Sequence, residues 1–426
     1  MKAVKSKNAL ADKLYDFIRE SFKPHFGELT SFMSNPVWQK VRGLGSRLWL
    51  DTGSIDESQQ RWTKEFSALT TNNTLLNKEI QTGRYDTLIE QVARILAPYH
   101  KLTEKQVILE IAFVLNAWHG LRLVEQFDAF VSVEEHTDLA DNVGMAVDYA
   151  IRLYNICPQR FIVKLPFTPA GLLATRKLSA AGIPINHTLG FSARQNYIIA
   201  RLSKPAYVNV FLGRLNSFIA DNKLGSGKYV GEKATLASQK VIKELRKTNQ
   251  AQTLQIGASF RSGEQVRDLL GIDVMTMPPK AADEFLALNV PADQISDKTE
   301  AEYQIGLDND VLADSFNLNT LWDVDERLIN CINILESEDL DKFTPDELVE
   351  FFENHNCGDA LVRWNEVQID TSYREGKIPK LENWRQILST KEIGFDSLMD
   401  LAGLCSFKKD QAAMDDRIRQ VLNKVT

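Results

Sequence analysis

Lys164 stands near the end of a short apolar run, Phe161 to Pro166. Such runs are typical of strands that are buried on both faces of a parallel sheet. In one interpretation the strand ends here and the ammonium group of the lysine reaches solvent. In the other the lysine is a nucleophile, because a lysine amine desolvated in an apolar barrel has a lowered pKa and can form a Schiff base with a carbonyl substrate.

Seven further runs of the chain have the composition of buried strands. Helical patterns, such as Tyr85 to Tyr99 and Ala170 to Ala181, lie between most of them. Alternation of strands and helices is typical of parallel βα units, and eight such units predict an α/β fold of the (β/α)8 TIM barrel class. The eight predicted strands cover residues 47–51, 66–72, 127–134, 161–166, 184–188, 206–211, 254–259 and 272–277.

Polar residues stand at or just after the predicted carboxyl ends of six of these strands. In a barrel of this class those ends meet on one face, where active sites lie. Two carboxylates and a lysine drawn from different strands favour the catalytic interpretation of Lys164. The six residues are Asp51, Asn72, Glu134, Lys164, Thr188 and Ser259.

Two arginines follow the sixth and seventh predicted strands. Arg214 comes shortly after Phe211, and Arg261 comes two residues after Ser259. The planar fork of an arginine suits a phosphate group, so both arginines and the serine are candidates for a phosphate clamp. The alternative for each arginine is an ion pair on the barrel rim, because surface ion pairs are common and weak.

Composition restricts the class of protein. The chain has 426 residues, of which 44% are hydrophobic and 25% charged, and its net charge of -7 argues against non-specific nucleic-acid binding. There is no run of about 18 apolar residues, so we expect no membrane-spanning helix. The first ten residues carry three lysines and no apolar run, so we expect no secretory signal and a cytoplasmic location.

Motifs for metal ions and cofactors are incomplete. The four cysteines are scattered without CxxC spacing, and His136 and His187 lie at no ligand spacing, so we expect no metal site. Gly225 to Lys228 lacks the first glycine and the final hydroxyl of a phosphate-binding loop, and Gly43 to Gly45 lacks the third glycine of a dinucleotide fingerprint. We therefore expect no cofactor.

The alternation of strands and helices stops at about residue 310. Residues 321 to 360 are acidic and helical, with a proline after the N-cap Thr344 and a glutamate three residues on. Further helical patterns cover Ser397 to Leu404 and Gln411 to Val425. We predict three parts: an N-terminal helical lead-in over residues 1–46, a catalytic barrel over 47–308 and an all-helical C-terminal extension over 309–426.

As a set, the motifs at the strand ends resemble the transaldolase family over about residues 45 to 300. They stand in the family's order with suitable gaps, and together they are highly specific. The resemblance implies a metal-free class I mechanism through a Schiff base. The motifs are Leu50-Asp51-Thr52-Gly53, Thr70-Thr71-Asn72, Val131-Ser132-Val133-Glu134, Val163-Lys164-Leu165-Pro166, Asn186-His187-Thr188-Leu189, Phe211-Leu212-Gly213-Arg214 and Ala258-Ser259-Phe260-Arg261.

The resemblance also implies a role for each candidate residue. Lys164 would attack the ketose carbonyl, and Glu134 would move protons through a water held against Thr188. Asp51 would take the proton from the C4 hydroxyl as the C–C bond breaks. The residues implied to bind the substrate are Asn72, Asn186 and Asn209 at the dihydroxyacetone unit, Phe211, and Arg214, Ser259 and Arg261 at the phosphate.

Three positions depart from the family's pattern. Asn73 stands where proline is usual, Asn209 where serine is usual, and Gly190 where a bulkier residue is usual. These departures bear on which acceptor and donor the site takes. Fructose-6-phosphate aldolases of the same family tend to carry Gln and Tyr in place of Glu134 and Phe211, so these two residues favour transfer over simple aldol cleavage.

By resemblance the chain is an enzyme, a transaldolase of the non-oxidative pentose phosphate pathway. It would move a dihydroxyacetone unit from sedoheptulose 7-phosphate or fructose 6-phosphate to glyceraldehyde 3-phosphate or erythrose 4-phosphate. One alternative is an aldolase-like lyase, or a relative that acts on a modified sugar. Another is a non-catalytic scaffold that acts through its helical tail, against which the complete set of candidate residues argues. We expect sugar phosphate substrates, no nucleic-acid or membrane partner, and a homodimer or a protein partner through the C-terminal helices.

Overall fold

A computed structural model of the chain describes residues 9–23, 26–27 and 32–425. Its centre is a closed barrel of eight parallel strands in sequence order, with the eighth strand hydrogen-bonded to the first. The predicted (β/α)8 barrel is confirmed. Residues 1–8, on which the expectation about a secretory signal depends, lie outside the described residues. The strands are β1 (Arg47–Asp51), β2 (Phe66–Thr70), β3 (Phe130–Glu134), β4 (Phe161–Pro166), β5 (Ile185–Thr188), β6 (Tyr207–Phe211), β7 (Leu254–Ala258) and β8 (Val274–Met277).

Helices precede, connect and follow these strands. They cover the outside of the barrel, as expected for a parallel sheet whose strands are buried on both faces. The helices up to the end of the barrel are α1 (Ala9–Glu20), α2 (Pro36–Gly43), α3 (Ile55–Gln59), α4 (Asn73–Gln81), α5 (Asp86–Leu96), α6 (Glu104–Phe127), α7 (Val143–Ile156), α8 (Pro169–Ala180), α9 (Ala193–Leu202), α10 (Leu212–Asp221), α11 (Val230–Lys247), α12 (Gly263–Asp268) and α13 (Pro279–Ala287).

Six strands are shorter than the sequence predicts, and neighbouring helices explain the differences at β2 and β3. β2 stops at Thr70 because Asn72 is the N-cap of α4, where its side chain accepts a hydrogen bond from the helix backbone. β3 starts only at Phe130 because α6 continues through Phe127. Asp128 then ends that helix in a left-handed conformation with φ 47°.

Helix α6 is long and apolar enough, by length and composition alone, to cross a membrane. In the structure, however, 83% of the apolar window is buried within the protein. Its Glu110 forms a buried ion pair with Arg152 on α7. Core helices of soluble proteins pass the same test, and we interpret α6 as such a helix.

The region after the barrel is helical, as predicted, but its last helix is longer than expected. The patterns over Ser397 to Leu404 and Gln411 to Val425 belong to one helix of 31 residues. The residues between them include neither glycine nor proline, so nothing in the local sequence ends the helix. The helices of this region are α14 (Glu326–Leu335), α15 (Pro345–Asn354), α16 (Glu366–Glu375), α17 (Leu381–Ser389) and α18 (Phe395–Val425).

A buried arginine ties this region to the barrel. Arg194 on α9 contacts two carboxylates beyond the barrel, with its Nη2 2.7 Å from Asp396 Oδ1 and its Nη1 bonded to Asp359. Ser192 also donates to Asp396, at 2.6 Å between Oγ and Oδ2. Burial disfavours the charged guanidinium, but the two carboxylates outweigh it and raise the pKa of Arg194. The three charges therefore stabilise one another, and Asp359 also pairs with Arg327 at 3.2 Å.

Replacing Arg194 with Met would leave Asp396 buried without its cation and Asp359 with only its ion pair to Arg327. Breaking a buried ion pair from one side costs about 3–5 kcal/mol, and we expect the free energy of unfolding in urea to fall by about that amount. Arg363→Met is the control, because Arg363 pairs with Asp346 at the surface, where such pairs contribute about 0–1 kcal/mol. Equal losses in the two variants would contradict a special role for Arg194.

Candidate active site

Lys164 lies inside the barrel on β4, opposite Glu134 on β3 and Asn186 on β5. Residues opposed in neighbouring strands have their side chains on the same face of a sheet. Nζ of Lys164 is 3.4 Å from Oε1 of Glu134, and the two side chains are only 3% and 4% exposed. The interpretation in which the ammonium group reaches solvent is therefore wrong.

Glu134 is held in place by the amino end of α4. Its Oε2 accepts a hydrogen bond from the backbone N–H of Asn73, with 3.1 Å between N and O. Burial raises the pKa of Glu134, although Lys164 and the Asn73 N–H act in the opposite direction. Proline has no N–H to donate. The departure at position 73 therefore gives Glu134 a hydrogen bond that the family's usual proline could not form.

Asp51 ends β1 and lines the same cavity as Lys164. Burial raises the pKa of Asp51 to about 6 despite the attraction of Lys164 and Arg261, and the nearby charge of Glu134 adds to the rise. A carboxyl group with a pKa close to the working pH can both accept and release a proton. Two acids in different surroundings thus lie near one amine, as general acid–base chemistry requires.

The other two departures from the family's pattern are joined to each other. Asn209 donates from Nδ2 to Asn186 Oδ1 at 3.2 Å, and its Oδ1 accepts from the backbone N–H of Gly190 at 3.3 Å. Asn186 in turn donates to Ser132 Oγ at 3.0 Å. A Cβ at position 190 would lie 2.3 Å from the carbonyl oxygen of Asn209. Asn209 and Gly190 are therefore in direct contact, and the backbone of residue 209 leaves no space for a larger residue at position 190.

Asn72 and Thr188 each have one polar group without a hydrogen-bond partner among the described residues. Asn72 uses Oδ1 to accept from the backbone N–H of Leu75 at 2.9 Å, which leaves its Nδ2 as a donor on the cavity wall. Thr188 is fully buried at the end of β5, and its Oγ1 has no hydrogen-bond partner among the described residues. A buried hydroxyl of this kind is a donor and an acceptor for a small ligand.

The two candidate arginines meet at the ends of β6 and β7. Burial, together with repulsion from Arg261, lowers the pKa of Arg214 to about 10. Arg214 is only 5% exposed, and its Nη1 has no hydrogen-bond partner in the described part of the chain. Neither arginine forms an ion pair with a described residue, so the alternative of ion pairs on the rim is wrong. Two neighbouring guanidinium groups, one with a buried N–H donor that has no partner, can bind an anion such as phosphate.

Nine of the eleven candidate residues line one cavity at the carboxyl ends of the strands. Of the other two, Glu134 reaches Lys164 from β3, and Thr188 is buried at the end of β5. The described residues contain no group of three or more His, Cys, Asp or Glu side chains placed to hold a metal ion. The nine residues around the cavity are Asp51, Asn72, Lys164, Asn186, Asn209, Phe211, Arg214, Ser259 and Arg261.

Several residues of the cavity wall were not identified from the sequence. Thr74 lies two residues after the Thr70-Thr71-Asn72 motif, so its position close to the site could have been inferred. Lys377 and Phe407 also line the cavity, but they lie far along the chain in a region without a recognisable motif. Only the packing of the helices after the barrel brings them to the strand ends.

The fold is a (β/α)8 barrel, and its site gathers a lysine, two acids and two arginines at the carboxyl ends of the strands, where active sites of such barrels lie. Comparison with known proteins identifies the family of barrel proteins to which this chain belongs. The family model described as "Transaldolase/Fructose-6-phosphate aldolase" matches residues 48–325. The chain belongs to the transaldolase/fructose-6-phosphate aldolase family, and the resemblance drawn from its motifs is confirmed.

Individual relatives are similar over most of their own length. A "Transaldolase" of Saccharomyces cerevisiae is 26% identical over an alignment that covers 75% of this chain and 94% of the yeast protein. A "Probable transaldolase" of Thermus thermophilus is 33% identical over 54% of this chain and 86% of that protein. A "Transaldolase" of Prochlorococcus marinus is 27% identical over 64% of this chain and 82% of that protein.

The hydrogen bond from Asn73 to Glu134 leads to a specific test. Asn73→Pro removes the N–H at the first position of α4, where proline is well tolerated, whereas Asn73→Ala keeps the N–H. Because a hydrogen bond to a carboxylate lowers its pKa, we expect a higher pKa for Glu134 in the proline variant than in the alanine variant. Carbon-detected NMR of protein labelled at the glutamate carboxyl groups measures this difference. The same pKa in both variants would contradict the assigned bond.

Proposed function

We propose that this protein is a transaldolase, which transfers a dihydroxyacetone unit from a ketose phosphate to an aldose phosphate. The observation that carries the proposal is the buried pair of Lys164 and Glu134 beside a cavity that Asp51 and two arginines also line. Membership of the family supports it, as do the names of the relatives. The proposed donors are sedoheptulose 7-phosphate and fructose 6-phosphate, and the proposed acceptors are glyceraldehyde 3-phosphate and erythrose 4-phosphate, as in the non-oxidative pentose phosphate pathway.

The first step of the proposed reaction joins the donor to Lys164. The neutral amine adds to the C2 carbonyl carbon of the ketose, and loss of water from the carbinolamine gives a protonated Schiff base. Glu134, 3.4 Å from Nζ, accepts and returns the protons of this step. A water held at the unpartnered hydroxyl of Thr188 relays protons between Glu134 and the substrate oxygen.

The second step breaks the bond between C3 and C4. The carboxylate of Asp51 accepts the proton of the C4 hydroxyl, which becomes the carbonyl of the departing aldose. The electron pair of the broken bond moves into the protonated Schiff base, which becomes an enamine on Lys164. The enamine carbon then attacks the aldehyde carbon of the acceptor, Asp51 returns its proton, and water hydrolyses the new Schiff base.

The remaining residues position the substrate in this proposal. Asn186 and Asn209, fixed by their mutual hydrogen bond, face the hydroxyl groups of the dihydroxyacetone unit. Arg214, Ser259 and Arg261 bind the phosphate at the far end of the sugar. Phe211 brings no hydroxyl into the cavity, so this position supplies no group that could protonate the enamine, and transfer to an acceptor is favoured over release.

Cellular location and partners complete the proposal. All four cysteines are buried and free, and we propose a reducing cytoplasm, where disulfides are rare. The expectation of a homodimer or a protein partner through the C-terminal helices stays a prediction. Val367 and Tyr373 on α16 are exposed apolar side chains in that region.

Trapping with borohydride tests the proposed nucleophile. Incubation with fructose 6-phosphate followed by reduction should leave an adduct of dihydroxyacetone size on the peptide that contains Lys164, as detected by mass spectrometry. Lys164→Met should give no adduct and lower the activity by at least about 1,000-fold. Lys177→Met is the control, since Lys177 pairs with Asp341 on the outside of the barrel.

The same experiment separates transfer from cleavage. Without the reductant, added erythrose 4-phosphate should convert the enamine on Lys164 into sedoheptulose 7-phosphate, whereas added glyceraldehyde 3-phosphate should return it to fructose 6-phosphate. Release of free dihydroxyacetone without an acceptor would instead indicate a lyase. A folded wild-type protein that forms no adduct with several ketose phosphates would overturn the catalytic proposal.

The pKa of Asp51 predicts the acid limb of the pH profile. Asp51 must be ionised to accept the C4 proton, and its pKa is raised to about 6. Protonation below that value removes the base, so kcat/KM, which reports the ligand-free enzyme, should fall about tenfold per pH unit below about pH 6. Asp51→Asn should remove most activity and flatten this limb. A wild-type profile that stays level down to pH 4.5 would assign the base to another group.

A further inference from the structure

Two residues from beyond the family match complete the wall of the cavity. The match ends at residue 325, whereas Lys377 and Phe407 both line the cavity. The ring of Phe407 on α18 lies 5.4 Å from Nζ of Lys164 and 5.5 Å from Cζ of Arg214. The C-terminal extension therefore brings its own side chains to the site.

Helix α18 can approach the arginine clamp closely because of a glycine. A Cβ on Gly403 would lie 2.8 Å from Cδ2 of Leu189 and 3.5 Å from Nη1 of Arg214. One turn further along the helix, Phe407 is 4% exposed and covers both the lysine and the arginine. Helix α18 thus covers the side of the cavity where Arg214 lies.

Lys377 stands at the open side of this cavity, in a loop that is firmly held. The loop starts at Gly376, whose φ of 82° ends α16. Its far end is anchored to the barrel by Asn222 at the end of α10, which accepts from the backbone N–H of Leu381 at 2.7 Å and donates to the carbonyl of Pro379 at 3.0 Å. The lysine is therefore placed at the cavity by the packing of the loop.

The charges around Lys377 are mostly positive. Burial and repulsion from Arg214 and Arg261 lower the pKa of Lys377, while Asp410 acts in the opposite direction. Asp410 already accepts a hydrogen bond from the hydroxyl of Thr74. Lys377 itself forms neither an ion pair nor a hydrogen bond with the described residues. A cluster with more cations than anions is unfavourable, and a bound dianion would relieve its repulsion.

We propose that Lys377 is a further ligand for the substrate phosphate, supplied by the C-terminal extension to the clamp of Arg214, Ser259 and Arg261. This inference rests on the proposed function, because it assigns the ligand of the same site. Arginine binds phosphate through its planar fork, whereas the lysine adds a point charge from the loop after α16. The extension then contributes to the selection of phosphorylated sugars over free sugars.

Binding of inorganic phosphate, measured by calorimetry, tests the inference without turnover. Lys377→Met should weaken phosphate binding about tenfold, and Lys377→Arg should stay within about threefold of the wild type, because the charge is kept. Lys380→Met is the matched control, since Lys380 lies in the same loop with an exposed side chain away from the cavity. It should bind phosphate as the wild type does.

Kinetics provide a second readout. For fructose 6-phosphate, Lys377→Met should raise KM about tenfold and leave kcat within about twofold, since the lysine contacts the phosphate and not the reacting carbons. The activity on free fructose should not change. Equal phosphate affinity in Lys377→Met and Lys380→Met would overturn the inference, as would a fall in kcat with KM unchanged.

The inference and the proposed function can fail separately. Phosphate binding that depends on Lys377, together with no borohydride adduct on Lys164, would overturn the proposed function and leave the phosphate site in place. An adduct on Lys164 with phosphate binding that is indifferent to Lys377 would overturn only the present inference.

Discussion

The charged form of Lys164 is stabilised inside the barrel by the carboxylate of Glu134, which is buried with it. An ion removed from water loses several kcal/mol of hydration, and only a close, well-placed partner offsets that loss. The closed barrel provides this partner by register, since the two residues are opposite each other in neighbouring parallel strands. Asp51 is then added from a third strand, where burial keeps its proton affinity high. The rest of the barrel holds these three groups within reach of each other while it excludes bulk water.

The helices after the barrel take part in the same arrangement. Arg194 fixes the start of α18 through Asp359 and Asp396. Further along the same helix, Asp415 contacts the ring of His136 at 3.2 Å, directly after β3. These contacts hold Phe407 over the cavity, so the extension acts as a wall of the site and is not an independent appendage.

The sequence predicts the barrel and most of the site for a physical reason. Buried parallel strands are continuous apolar runs, and the polar residue at the end of each, such as Lys164 or Asp51, must lie on the catalytic face. The cap formed by Asn72 and the contact of Gly190 with Asn209 are visible only in three dimensions. The position of Phe407 could not be predicted from the sequence. No local pattern distinguishes an aromatic ring that lines a cavity from one in the core between helices.

The late position of α18 in the chain has a consequence for synthesis. A ribosome that adds about 5–20 residues per second needs on the order of ten seconds to pass from β8 to Phe407. During that interval the barrel strands are complete, but the apolar surface that Met414, Ile418 and Val421 later cover stays open. The nascent chain therefore exposes this apolar surface until α18 is made, which favours association with other chains during that interval. The cavity wall that includes Phe407 is complete only after translation has delivered this last long helix.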